Sequence, residues 1–241
     1  MTSRRDPSTR PEASPSGELA VVFTGGERPD PEVLAGVPRD VYVIAADSGL
    51  HHALELGWPV HLAIGDFDSV DIGLLAHAES RGTVVESHPE TKDRTDLDLA
   101  LRRARQLGAR RVIVLGGGGG RLDHLLANAL VLASEELAPL EIEARHSGAC
   151  LHVVRRFAEL LGTPGELVTL LPVNGPVHGV TTEGLLYPLD HETLHPGTTR
   201  GVSNELLAER ATVRVGEGVL LAIQPGARGT HVERGLTGGN P

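Results

Sequence analysis

The chain has 241 residues and a formal net charge of −10; 40% of the residues are hydrophobic but only 2% aromatic, so a single large domain or two small ones must be cored by Leu, Val, Ile and Ala. No basic stripe offsets the acidic balance, which argues against a nucleic-acid partner held by phosphate neutralisation. Cys150 is the only cysteine, which excludes an intrachain disulfide, and no apolar run reaches the roughly 18 residues of a membrane span, so a soluble cytoplasmic protein is expected.

Residues 1–17 are polar, rich in Pro, Ser and Arg, and lack the apolar stretch of a secretion signal; a disordered leader is expected. A regular rhythm follows. Short apolar runs at 19–24, 41–45, 61–64, 83–86 and 111–115 predict strands, with a sixth at 140–144. Helical patterns follow the second strand up to Gly57, the third near 72–80, the fourth at 96–107 and the fifth at 121–137. Strands alternating with amphipathic helices predict an N-terminal, mainly parallel α/β sheet domain over residues 18–147. Such sheets bind ligands at the carboxyl ends of their strands. Thr24, Gly25, Gly26, Asp47, Asp66, Asp68 and the glycines from 116 all fall at those ends.

Past residue 147 the long helical patterns fade. Apolar runs at 167–171, 211–215 and 219–223 alternate with Gly, Pro, Asn and Thr, which predicts a small C-terminal all-β domain over 148–225. The Gly-rich residues 226–241 are expected to form a flexible tail.

Asp66 and Asp68 flank Phe67 just beyond the third strand. In an extended segment residues two apart share a side, so both carboxylates could face one ion. Mg²⁺ takes a few carboxylates together with water and substrate phosphates. A turn or a helix cap would use the same aspartates. Thr95 and Asp98 have capping-box spacing at the start of the next helix, which leaves Asp96 in its first turn as a third carboxylate for a metal. Lys92, the one lysine among 22 basic residues, and Arg94 could offset phosphate charge or simply be solvated.

Gly116, Gly117, Gly118, Gly119 and Gly120 join a strand to a helix that opens with Arg121, Leu122, Asp123 and His124. Glycine lets the backbone approach a phosphate, and a helix start offers free N–H groups. This run is neither a Walker A loop nor a Rossmann fingerprint. Arg121, His124 and Asn128 share one helix face, with Leu122, Leu125, Leu126, Ala129 and Leu130 as the apolar remainder. Such a polar stripe could hold phosphate or face solvent.

Taken in order, these motifs closely resemble the thiamine pyrophosphokinase family. The resemblance is carried by Ala46-Asp47-Ser48-Gly49, by residues 65–69 (Gly-Asp-Phe-Asp-Ser), by Lys92-Asp93-Arg94-Thr95-Asp96 and by residues 119–124. In the second part it is carried by residues 179–189 and by 200–205, which include Ser203 and Asn204. It spans about residues 19 to 223. It implies an α/β catalytic domain, a C-terminal β-sandwich that helps bind thiamine, and a homodimer with sites between subunits. It implies a Mg²⁺-dependent diphosphotransferase in which the thiamine hydroxyl attacks the β-phosphorus of ATP and AMP leaves. By the same resemblance Asp66, Asp68 and Asp96 become Mg²⁺ ligands, and Arg121 and Asp123 phosphate-site and catalytic residues. Asp47, Lys92, the glycines at 116–120 and His124 fall on the nucleotide side, and Ser203 and Asn204 become thiamine contacts. Either a metal-activated alkoxide or an aspartate base would serve the hydroxyl. Two other readings keep the nucleotide site: a pyrophosphokinase acting on a hydroxymethyl-pterin, and a nucleotide-binding module without turnover.

Overall fold

The computed structural model describes residues 18–89, 94–119, 121–146 and 148–226. The leader 1–17, the tail from 227, Lys92 and Gly120 lie outside the described residues. The strands are β1 Leu19–Phe23, β2 Tyr42–Ala46, β3 Leu62–Gly65, β4 Val84–Ser87, β5 Arg111–Leu115, β6 Glu141–His146, β7 Ala149–Val154, β8 Phe157–Leu161, β9 Leu167–Glu183, β10 Glu192–Leu194, β11 Asn204–Glu205, β12 Arg210–Arg214 and β13 Glu217–Pro225. The helices are α1 Gly49–Glu55, α2 Ile72–Ser80, α3 Asp96–Gln106 and α4 Leu122–Leu132, with 3-10 turns at Pro31–Leu34 and Glu135–Leu137.

In the N-terminal part β1 pairs in parallel with β2 on one side and β5 on the other; β3 and β4 extend the first side and β6 the second. The chain therefore builds outward from β1 to β4 and crosses back to β5 through α3. That reversal puts the topological switch point between β1 and β5, where open α/β sheets bind ligands. Side-chain alternation along the strands divides the core. Ala20, Val22, Ile44, Leu62, Ile64, Val112 and Val114 pack under Leu97, Ala100, Leu101 and Ala104 of α3. Val21, Phe23, Val43, Ala45, Ala63 and Ile113 face the other way, onto Leu50 and Ala53 of α1 and Ala78 of α2, with Trp58.

The predicted helix over 121–137 is interrupted. α4 closes at Leu132, and after Ala133 and Ser134 the chain continues as a 3-10 turn. Three of its leucines, Leu122, Leu126 and Leu130, are 68%, 57% and 54% exposed rather than packed on the sheet. They recur every four residues along one outer stripe.

The sheet does not stop at residue 147. β6 and β7 form an antiparallel hairpin across it, and β7 pairs with β13, which pairs with β9. The 17-residue β9 is the hinge of the C-terminal part. Its first half pairs with β13, while Thr181, Thr182 and Glu183 pair with β12, which pairs in turn with β8. Val168, Leu170, Val177, Val180, Leu206, Val213 and Leu220 fill the interior that the bend creates. The architecture is thus an N-terminal α/β sheet domain followed by a β-rich C-terminal domain. Among the described residues no helix is long and apolar enough to cross a membrane.

Candidate active site

The carboxyl ends of β1, β2 and β5 and the first turns of α3 and α4 surround a cleft of about 680 Å³. Its walls include Thr24, Gly25, Gly26 and Glu27 after β1, Asp47 and Ser48 after β2, Thr95 and Asp96 at α3, Gly117 and Gly119 after β5, and Arg121, His124 and Asn128 along α4. The polar face expected on α4 is therefore the face turned to the cleft.

Asp47 takes a left-handed conformation, φ 47°, between β2 and α1, which turns its side chain across the end of β3. Gly65 permits this approach, since a Cβ there would lie 3.2 Å from both Cα and Cβ of Asp47. Carboxylate oxygens of Asp47, Asp66 and Asp68 then lie within 4.8 Å of one another. The means of convergence differs from the expected extended segment. Phe67 is left-handed, φ 59°, and its carbonyl accepts from Val70 N at 3.2 Å, so Asp66 and Asp68 meet around a turn.

Asp47 Oδ2 accepts the Ser69 hydroxyl at 2.6 Å, while Oδ1 is buried with no hydrogen-bond partner among the described residues. Three carboxylates so close repel unless a cation joins them, and a buried carboxylate oxygen without a donor is costly. An all-oxygen set with one unsatisfied buried atom suits a hard divalent cation such as Mg²⁺. Sequence reasoning put Asp47 on the nucleotide side; the structure brings it into the carboxylate cluster. Asp96 lines the same cleft but stands outside this 4.8 Å group.

Thr95 caps α3 as the capping-box spacing predicts: its hydroxyl accepts from Asp98 N at 3.3 Å. The Asp98 side chain is taken by Arg102 at 2.7 Å and Arg94 at 3.3 Å, so Arg94 serves α3 as well as Glu136, 3.7 Å away.

The glycine loop is bound to the end of β1. Gly117 N donates to Gly25 O at 2.9 Å, and Glu27 N donates to Gly118 O at 2.8 Å. Gly116, Gly117 and Gly119 have φ of 95°, 78° and 78°, conformations that a side chain would strain. At the start of α4, Arg121 Nε and Nη2 donate to the two carboxylate oxygens of Asp123 at 3.1 and 2.5 Å. That fork holds the Asp123 carboxyl at about 2, well below the usual carboxylate range.

In the C-terminal domain Ser203 is left-handed, φ 56°, and its N–H donates to Thr169 Oγ1 at 3.1 Å. Asn204 is only 5% exposed. Its Oδ1 accepts from Tyr187 N and Glu205 N, both at 2.9 Å, and its Nδ2 donates to Tyr187 O at 2.7 Å. The amide is thus committed to the backbone that presents Tyr187, itself 57% exposed and next in the chain to the exposed Leu186. Sequence reasoning missed this clamp, and it gave no role to Ser69 as the holder of Asp47. The Ser69 signal was present in its place at the end of the Asp-Phe-Asp-Ser turn; the Asn204 pairing spans 17 residues and carries no local sign.

Comparison with known proteins agrees with this two-part fold. Residues 37–142 match the family model described as thiamin pyrophosphokinase, catalytic domain, and residues 151–220 match thiamin pyrophosphokinase, vitamin B1 binding domain. The chain belongs to the thiamin pyrophosphokinase family. A curated relative, thiamine pyrophosphokinase of Bacillus subtilis (strain 168), is 26% identical over 216 residues, covering 86% of this chain and 97% of the relative. The crystal structure of thiamine pyrophosphokinase from Bacillus subtilis superposes with a TM-score of 0.76 at 25% identity, covering 87% of this chain and 99% of that one. That of the Geobacillus thermodenitrificans protein gives 0.73 at 28%, covering 87% and 98%. Membership of the thiamin pyrophosphokinase family makes the chain a nucleotide-using enzyme of the kinase kind, and the cleft walls from Asp47 to Asn128 lie within the segment matched by its catalytic-domain model, while Thr24, Gly25, Gly26 and Glu27 precede it.

Proposed function

We propose that the chain is a thiamine diphosphokinase, transferring diphosphate from ATP to the hydroxyl of thiamine to give thiamine diphosphate and AMP. The observation that carries this reading is the convergence of Asp66 and Asp68 on Asp47, which lines a cleft whose other walls include a glycine loop and Arg121. Asp66 and Asp68, with Asp47 and with Asp96 of the cleft wall, would hold Mg²⁺, which when bound neutralises charge on the polyphosphate. The N–H groups of Gly116 and Gly117 are taken by Arg145 O and Gly25 O, so the N–H groups further along the glycine loop, with the Arg121 guanidinium, would receive phosphate oxygens, and His124 and Asn128 extend that wall. The thiamine hydroxyl oxygen forms a bond to the β-phosphorus, the bond from that phosphorus to the bridging oxygen of AMP breaks, and the hydroxyl proton is released. Little covalent chemistry falls to the protein; its part is alignment and charge balance.

Tyr187, exposed beside Leu186 and with its backbone fixed by Asn204, offers an aromatic face for the thiamine rings. Because the Asn204 amide is already spent on that backbone, we assign Asn204 to positioning and Ser203 to the substrate side. The stripe of Leu122, Leu126 and Leu130 lies on the helix that carries Arg121 and Asp123, and supports a homodimer whose second copy covers it. The single cysteine is in keeping with a cytoplasmic setting.

Incubation with ATP, Mg²⁺ and thiamine is expected to yield AMP and thiamine diphosphate in equal amounts. Formation of ADP with thiamine monophosphate would overturn diphosphate transfer, and turnover of a hydroxymethyl-pterin in place of thiamine would reassign the acceptor.

A further inference from the structure

The glycine loop presents a physical problem. Residues without a Cβ adopt left-handed backbone freely, and for the same reason they leave it freely. A loop that must meet phosphates ready-shaped therefore needs restraint from outside. Besides the bond from Glu27 N to Gly118 O, the structure holds both ends of one peptide unit, the one between Gly116 and Gly117. Its N–H, on Gly117, donates to Gly25 O at 2.9 Å. Its carbonyl, on Gly116, meets Nδ1 of His146 at 2.5 Å.

His146 ends β6, a strand parallel to β5, so it arrives at the same edge of the sheet as the cleft. It does not line the cleft itself. The imidazole lies along the underside of the loop: a Cβ on Gly117 would be 3.6 Å from its Cε1, and one on Gly118 would be 3.6 Å from its Cβ. Its strand is firmly anchored. The neighbouring Arg145 is buried, bonds Glu143 at 2.6 Å and reaches the carbonyls of Val33 and Ala35, each at 2.9 Å. Arg145 O also accepts from Gly116 N at 3.2 Å. A carbonyl can only accept, so Nδ1 carries the hydrogen. Burial lowers the imidazole pKa, which keeps the ring neutral and its single N–H on this bond.

We propose that His146 is a positioning residue of the nucleotide cleft, locking the Gly116–Gly117 peptide plane so that the glycine loop meets the phosphates of ATP preformed. The proposal rests on the reading of this cleft as the nucleotide site. His146 touches neither nucleotide nor acceptor; its effect passes through the loop. It should accordingly appear in nucleotide affinity and not in the acceptor.

The test compares the full-length wild type with His146→Ala, His146→Asn and His146→Gln. Binding of Mg–ATP is followed by calorimetry without thiamine, and the KM values for ATP and thiamine and kcat are measured separately. His146→Ala should raise the Kd and KM for ATP about tenfold, the value of one well-placed hydrogen bond, and leave the thiamine KM and kcat within about twofold. His146→Asn should recover most of the loss, because its amide N–H stands where Nδ1–H stands, while His146→Gln should not. Wild-type ATP affinity in the alanine variant, or equal behaviour of Asn and Gln, overturns the proposal. Should the alanine variant fail to fold, the Asn–Gln comparison still decides. If the wild type itself binds no Mg–ATP, the nucleotide reading fails; amide exchange at Gly117 then reads the lock directly, with unchanged exchange in His146→Ala overturning it.

Discussion

Ser69 donates its hydroxyl hydrogen to Asp47 Oδ2 at 2.6 Å, joining the turn after β3 to the turn after β2. The bond fixes one oxygen of Asp47, so the other, buried and without a donor among the described residues, is held in place beside Asp66 and Asp68. Partners that orient a metal-binding carboxylate typically matter by 10–100-fold in metal affinity or activity. Ser69→Ala is therefore expected to raise the Mg²⁺ concentration for half-maximal activity by about tenfold, with kcat at saturating Mg²⁺ largely kept. A Mg²⁺ titration of both proteins measures this, and an unshifted midpoint would detach Ser69 from the metal site.

The three clustered carboxylates also predict a stability signature. Without a cation they repel one another, so removing one charge relieves the metal-free protein. Asp68→Asn should abolish turnover yet melt no lower than the wild type in EDTA. Added Mg²⁺ should raise the melting temperature of the wild type, because a ligand that binds only the folded state stabilises it, and should raise that of the variant much less. Thermal scans with and without Mg²⁺ separate these outcomes. Activity retained by Asp68→Asn at saturating Mg²⁺ would remove Asp68 from the cluster's function.

Arg121 and Asp123 make a sharper statement about pH. The fork from Arg121 brings the Asp123 carboxyl from an ordinary 3.8 to about 2. A depressed folded-state value means that the pair's contribution is present above pH 3.8 and fades as the pH falls towards 2. Asp123 is thus ionised throughout the range in which the enzyme works and cannot set an acid limb of its pH profile near neutrality. NMR titration of the Asp123 carboxyl should give a midpoint near 2 that returns towards 3.8 in Arg121→Ala. Arg121→Lys, which cannot reproduce the two-pronged geometry, should return it only in part.

Much of this was legible in the sequence, for reasons visible in particular residues. The alternation of Val21, Phe23, Val43 and Ala45 with Ala20, Val22, Tyr42 and Ile44 is short-range, and it fixes strands buried on both faces. Thr95 and Asp98 announce the start of α3 because a cap bond is local. What escaped is what depends on chain reversal. Nothing near Asp47 signals that its left-handed backbone swings the carboxylate onto Asp66 and Asp68. Nor does the local pattern of 167–171 disclose that β9 runs to Glu183, bending from one sheet to another. The leucines of α4 fit a helical period, but a period does not state which side is covered by the same chain.

The cap of α3 bears on more than helix stability, since it sets Asp96 at the cleft wall. Thr95→Ala removes the acceptor for Asp98 N and should cost about 1 kcal/mol. For a chain of this size that is a fall of about 2–4 °C in melting temperature. Thr95→Ser keeps the acceptor and should lie much closer to the wild type. If the two variants melt alike, the hydroxyl bond is not what holds the helix start.

Asn204 offers the last test, because it separates contact from positioning. All its described side-chain bonds go to Tyr187 N, Tyr187 O and Glu205 N, so its influence on an acceptor must pass through Tyr187. Residues acting through a shared partner are non-additive, while independent contacts add. Asn204→Ala should raise the thiamine KM by about tenfold, leave the ATP KM unchanged, and cost the protein about 1–3 kcal/mol of stability from the stranded backbone groups. Tyr187→Ala should raise the thiamine KM at least as much, and the double variant should be no worse than Tyr187→Ala alone. Tyr187→Phe should behave as the wild type, since the aromatic face and not the hydroxyl is the feature on offer. If the two alanine effects multiply in the double variant, Asn204 touches the acceptor in its own right, as the family resemblance first implied, and the clamp on Tyr187 is incidental to binding.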